Sequence, residues 1–400
     1  MSVARTNRAL AVTLGAARTN RVLAVSLGAA AVGFAALVFG LRGGDRGWFA
    51  YLAAWTFATS LALGALLLLM VGHVAKAGWM VVTRRLAEAV ASALPLCLLL
   101  FVPIALALSH LYPWARPETA DSPSLRRAIA HTHAYLNPPF FVLRTAVYFA
   151  IFITIAALLA SWSAKNDRAP SLALVLRMRR VSGGGLPLVA LALTWASFDW
   201  IMSLEPDWSS TIFGMYFFAG SFVGAIALVA AVMGFVPGTR GRVTADHAQA
   251  LGRVLFAMII FWAYMAFSQL LIYWIGDVPD EIEYYRLRTA GSWSGVTALL
   301  IFGHFFAPFG ALLSRRRKRN LTFLASVAAW VLGMHFVDVY WIVLPNIDRT
   351  GVRTHWLDAA ALLFVGGLFS AWVVRRYAAL PPLPLHVPEL DAGLDYEAAL

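Results

Sequence analysis

The chain has 400 residues, 60% of them hydrophobic and only 13% charged, with a mean hydropathy of +0.73 and a formal net charge of +12. That balance lies outside the range of soluble globular domains and reads as a polytopic membrane protein. The single cysteine, Cys97, excludes a disulfide framework and a cysteine-ligated zinc or iron–sulfur centre within the chain. The positive charge sits in short segments between apolar runs, so it points to positive-inside topology and a lipid bilayer, with no nucleic-acid partner.

At the N-terminal end, Arg5–Ala17 is repeated almost unchanged as Arg18–Ala30. The apolar part of the first copy is about half of the ~20 residues a span needs, so residues 1–21 are read as a cytoplasmic tail carrying a duplication. A cleaved signal peptide, cut near Ala29–Ala31, is the rival reading of this end. Uncharged runs then give ten spans, at 22–41, 48–74, 89–109, 138–163, 183–204, 209–236, 254–276, 290–313, 321–345 and 356–374. Backbone polar groups in lipid must be paired within their own segment, and the alternation of a strand barrel is missing, so the fold class is all-α. A single membrane domain is expected over residues 22–376, followed by a cytoplasmic C-terminal tail, 377–400.

With both termini in the cytoplasm, 22 of the 32 Lys and Arg fall on the inner side, nine fall on the outer side, and Arg144 lies within a span. The outer loops carry acids instead, among them Glu205, Asp207, Asp277, Asp280, Glu281 and Glu283. An even number of spans satisfies this bias. The fifth and ninth spans share a pattern: Asp199 and Asp338 each stand seven residues before a proline, Pro206 and Pro345. These two spans run the same way. The simplest reading is two parallel four-helix bundles, about 48–204 and 209–345, with two flanking helices.

A charge inside a span costs about 3 kcal/mol on insertion scales, so it marks a proton or ligand site or a structural ion pair. Away from their ends the spans contain Arg144, Asp199 and Asp338, while Asp358 stands in the first turn of the last one. Asp199 lies ~10 Å and Arg144 ~7 Å below the same face, depths that allow them to pair. His335 stands one turn before Asp338 on the same helix face, an arrangement suited to proton relay. His73 and Glu88 offer a route from the inner face toward Asp199. His304, Tyr264, Gln269 and Ser268 are further polar groups in apolar context, for which helix-to-helix hydrogen bonds are the plain alternative. Among nine histidines no span holds the pair that stacked b-type haems need, and there is neither a phosphate loop nor a metal-ligand cluster. The chain is therefore expected to hold no cofactor of its own, either covalently or by ligation. Of the 15 tryptophans, Trp48, Trp208, Trp274, Trp293, Trp341 and Trp356 lie near span ends and read as an interfacial belt.

Four stretches resemble a known family. They are Tyr135–Phe149, Ser197–Gly214, Phe261–Gln269 with Pro279–Glu281, and His335–Pro345. They are similar to the ActF-type membrane subunit of alternative complex III, within the wider NrfD-like polysulfide-reductase membrane subunits. The run Ser-Phe-Asp-Trp-Ile-Met-Ser-Leu-Glu-Pro at 197–206 is the most specific part. The resemblance implies a ten-helix subunit of a bacterial quinol:cytochrome c oxidoreductase in the inner membrane. It also implies a homologous ten-helix subunit, a periplasmic iron–sulfur subunit and c-type haem subunits as partners, and a quinol such as menaquinol as substrate. Arg144, Asp199, His335 and Asp338 fall on its motifs. From the residues alone, a stand-alone secondary transporter with an intramembrane Arg and Asp site is the alternative, and a purely structural scaffold is a third reading.

Overall fold

The computed structural model describes residues 2–120, 122–236 and 241–398. Among these residues every regular element is helical, and ten helices are long and apolar enough to cross a membrane. We number them α1 (Ser2–Gly40), α2 (Arg46–Val74), α3 (Arg84–Leu106), α4 (Pro138–Arg168), α5 (Leu172–Leu204), α6 (Phe213–Phe235), α7 (Ala245–Gly276), α8 (Trp293–Leu312), α9 (Leu321–Asn346) and α10 (Trp356–Ala378). The chain is thus a multi-pass membrane protein. Side chains of residues 1–16, which include all of the first repeat copy but Ala17, fall outside the described residues, while the backbone carries both copies in one continuous helix.

Several helices outrun the apolar stretches that predict them. α7 has 32 residues, ~48 Å of helix, against a hydrocarbon core of about 30 Å. Its first turns, Ala245–Arg253, carry charge and so escape a scan for apolar runs, but a capping box at Thr244 and His247 starts the helix there.

α2 and α6 form the centre, with 78% and 83% of their most apolar stretch buried, whereas α1, α7 and α8 have only 17%, 22% and 28% buried and lie at the periphery. α2 packs against α3, α5, α6, α9 and α10, and α6 packs against α5, α7 and α9 as well. α4 lies between α3 and α5, α8 between α7 and α9, and α1 rests on α10. Small residues permit the central crossing. A Cβ on Gly64 would strike the Ser221 carbonyl and Ala225, so α2 and α6 touch backbone to backbone.

Of the tryptophans expected in an interfacial belt, three are packed inside the protein instead. Trp208 is stacked on Tyr284 at 3.8 Å, Trp293 donates to the Asp348 carbonyl at 2.7 Å and Trp341 to Thr297 at 2.8 Å. The indole N–H groups of Trp293 and Trp341 found protein acceptors, that of Trp208 is buried without one, and all three rings add to packing between loops and helices. Trp274 and Trp356 remain exposed.

The C-terminal segment is docked, not free. The Asn166 amide donates to the carbonyls of Leu385 and His386, Arg179 pairs with Glu389, and His247 bonds the Gly393 carbonyl at 2.7 Å. It ties the α4–α5 connection to the start of α7.

Candidate functional site

The chain builds two polar nodes, one on α5 and one on α9. At the first, the helix ends because Ser203 donates to the Asp199 carbonyl at 2.5 Å and Pro206 follows. On the neighbouring helix, Asn137 caps α4 by accepting from the Phe140 N–H at 3.1 Å, with Pro138 and Pro139 in the opening turn. That start places Arg144 beside Asp199. The guanidinium donates through Nε to Oδ2 at 2.8 Å and through Nη2 to Oδ1 at 2.9 Å, the bidentate geometry of a strong pair. Tyr148 adds a third donor, to Oδ2 at 2.8 Å. The remaining guanidinium nitrogen donates to the Tyr135 carbonyl at 2.7 Å, and the group lies over the rings of Tyr135 and Phe140, at 3.7 and 4.4 Å. Burial, with Asp199 close by, pushes the Tyr135 phenol up to about 12. Asp199 is 0% exposed, so its charge is met entirely by protein. Beside the pair a recess of about 350 Å³ opens sideways between apolar side chains, among them Leu143, Val147 and Trp195.

The second node has no cation. Asp338 accepts from the Tyr216 hydroxyl at one oxygen and from the Trp262 indole N–H at the other, at 3.1 Å. His335, one turn earlier, meets Ser60 of α2 at 2.8 Å through Nε2. Ser60 donates its own proton to the Phe57 carbonyl at 2.8 Å, which leaves the hydroxyl oxygen to accept from His335. Nδ1 of His335 then has no partner, and neither ring nitrogen of His304 has one. His304 lies against Trp262, with ring centroids 4.0 Å apart, and is fully buried. Its place follows from Pro308, which has no N–H to return to the His304 carbonyl four residues back. The helix widens there into a π-turn, Leu300–Phe306, a distortion frequent at functional sites. Gly220 and Gly224 of α6 make room for this node: a Cβ on Gly224 would meet the His335 ring, and one on Gly220 would lie 3.3 Å from it and 3.6 Å from Asp338.

The remaining predicted residues lie elsewhere. Glu88 is fixed by Arg84 at 3.0 Å, by Arg85 at 2.6 Å and by Ser163 at 2.8 Å. Ser163 and Tyr148 sit on the same helix fifteen residues apart, ~22 Å. The buried face of α4 between them is apolar, with Phe149, Phe152, Ile155 and Leu159, so the structure does not bring Glu88 to Asp199. His73 lines a small recess with Lys76, Arg84, Arg179 and Glu389 at the same end of the molecule. Tyr264 points outward, 61% exposed. Gln269 is buried at the far end of α7 and accepts from Ser210 at 3.3 Å.

Sequence reasoning missed several participants. Tyr216 and Trp262 come from helices distant in the chain, where an aromatic residue in an apolar run carries no signal. Arg288, outside the spans, is 1% exposed. It donates to Glu205 and to the Ile342 carbonyl, both at 2.8 Å, and lies 3.4 Å above the Tyr284 ring. Arg85 is equally buried and also pairs with Asp167. Among the described residues no group of three or more His, Cys, Asp or Glu is placed to hold a metal ion. No protein-family model matches the chain, and no curated protein matches it.

Proposed function

We propose that the chain is the membrane subunit of a respiratory quinol:electron-acceptor oxidoreductase. In this reading it carries protons within the bilayer at Asp338 and faces quinol, while partner subunits hold the redox centres. The observation that carries the proposal is Asp338: a carboxyl group 2% exposed, inside a membrane bundle, whose two hydrogen-bond donors are both neutral. A lone charge in such surroundings is exchanged for a proton before it is tolerated. Asp338 takes up and releases that proton; His335 offers a bare Nδ1, and His304 offers two unpartnered nitrogens. The resemblance to the ActF-type subunit supports the quinol assignment, since its stretches carry residues of both nodes: Arg144, Tyr148 and Asp199 of the first, Trp262, His335 and Asp338 of the second. Helix packing supports the finer layout, with α2–α5 and α6–α9 as parallel bundles and α1 and α10 flanking; the bias of Lys and Arg to one side supports both termini in the cytoplasm, and the resemblance supports a bacterial cell.

Two measurements test the reading. Infrared difference spectra of the purified protein, stepped in pH, are expected to show a protonated-carboxyl band that disappears in Asp338→Asn and survives in Asp199→Asn. A band that persists in Asp338→Asn removes Asp338 as the exchange site. Purification from native membranes is expected to bring iron–sulfur and c-type haem proteins with the chain; recovery of the chain alone overturns the complex.

A further inference from the structure

Two recesses near the outer ends of α4, α5 and α7 differ in what they offer a ligand. Beside Arg144 the donors are already committed: the guanidinium to Asp199 and the Tyr135 carbonyl, the Tyr148 hydroxyl to Asp199. The other recess, about 280 Å³, lies between the end of α5, the connection to α6 and the end of α7. Its mouth is apolar, with Met202 and Ile272 on its lining, and Ile272 is 57% exposed. Ser210, Gln269 and Tyr273 supply polar groups, and Glu281 stands on its lining from the helix Pro279–Thr289. Gln269 is seven residues before the end of α7 at Gly276, ~10 Å along the helix, which sets it near the boundary between hydrocarbon and headgroups. The bond it accepts from Ser210 is long, 3.3 Å, so both groups retain capacity for a ligand oxygen.

The inner wall leads to the α9 node by packed rings. Tyr273 lies 5.7 Å from Trp208, Trp208 5.9 Å from Phe213 and Phe213 6.2 Å from Tyr216, and Tyr216 donates to Asp338. An apolar mouth open to lipid, polar groups at headgroup depth and aromatic walls together match a flat ring that carries hydroxyl or carbonyl oxygens and a hydrocarbon tail.

We propose that this recess binds the headgroup of a membrane quinol, with Gln269 and Ser210 bonding a ring oxygen and the isoprenoid tail leaving past Met202 and Ile272. The assignment rests on the quinol-linked reading above and names the site of that substrate in this chain.

The test is equilibrium binding of radiolabelled decylubiquinone, and of a menaquinone with a short isoprenoid tail, to the purified full chain in nanodiscs. Gln269→Leu is expected to raise Kd about tenfold, or 1.4 kcal/mol, the worth of one good hydrogen bond. Ile272→Trp, at an exposed position where a larger ring is accommodated, is expected to block the mouth and abolish binding. Val147→Trp, which fills the recess beside Arg144, is expected to leave Kd unchanged. Wild-type affinity in both Gln269→Leu and Ile272→Trp, loss of binding in Val147→Trp, or no binding to the unaltered chain overturns the site. The infrared band of Asp338 is read without quinone, so its survival alongside failed quinone binding would remove the recess and leave the proton reading intact.

Discussion

Asp199 and Asp338 stand at equivalent points of their helices, seven residues before a proline, yet the protein treats them differently. Asp199 receives three hydrogen bonds, two of them from the guanidinium of Arg144. Asp338 receives two, both neutral, and has two histidines with unpartnered nitrogens nearby. Their own helices fix the depth of the carboxylates. Their charge environment comes from the neighbours: α4 brings an arginine to one, whereas α6 and α7 bring a tyrosine and a tryptophan to the other. A buried ion pair resists change in either partner, and a buried acid without a counter-charge is free to exchange its proton. In the proposed reading the first node braces the molecule and the second exchanges its proton.

The same substitution at both positions tests this most sharply. Asp199→Asn leaves Arg144 buried without its anion and is expected to cost about 3 kcal/mol or more of stability. Asp338→Asn forfeits a bond from Trp262 and is expected to cost about 1 kcal/mol. Denaturant titration of the detergent-solubilised chain reads both. Equal losses, or the reverse order, would erase the distinction between a braced and an exchangeable carboxylate.

A smaller effect is expected from the glycines that make room for the second node. In Gly224→Ala the new methyl meets the His335 ring and forces it away from Ser60. Overpacking of this kind costs about 1–3 kcal/mol, and the imidazole nitrogen resonances of His335 should move with it. Gly220→Ala, where the nearest ring atom is 3.3 Å away, should cost less. If the two alanines behave alike, His335 is not held against α6 in the way the packing requires.

Much of this was legible in the sequence, for identifiable reasons. The ten spans follow from apolar runs, because lipid imposes length and composition directly. Arg144 and Asp199 could be matched by depth, since prolines mark where both helices meet the membrane face. The spacing of His335 and Asp338 placed them on one helix face. What stayed hidden was whatever depends on a neighbouring helix. Tyr216 and Trp262 are two aromatics among 53 (26 Phe, 12 Tyr and 15 Trp), and only the packing of α6 and α7 against α9 selects them. Arg85 and Arg288 read as ordinary loop or helix-end charges, because the acids that hold them, Asp167 and Glu205, are distant in the chain. For the route expected through His73 and Glu88 the hidden part is again the neighbours: Glu88 is held by Arg84, Arg85 and Ser163, apart from the Asp199 node.

The mildest expected effect bears most directly on how the second node works. Tyr216→Phe keeps the ring that packs between Phe213 and Trp262 and deletes only the hydroxyl that Asp338 accepts. If that hydrogen bond merely fills space in the core, the loss is that of one buried bond, about 1 kcal/mol, and the infrared band of Asp338 stays where it was. If the hydroxyl steadies the ionised form, its removal should make the carboxyl harder to ionise. The pH at which the band disappears should then rise while the ring packing, and hence most of the stability, is retained. Asp199 gives the control, because removing one neutral donor in Tyr148→Phe leaves both bonds from Arg144 in place and should not bring a protonated carboxyl into view. A shifted band at Asp338 together with silence at Asp199 is the signature of one exchangeable and one locked carboxylate; a band appearing at Asp199 would show that the arginine does not hold it.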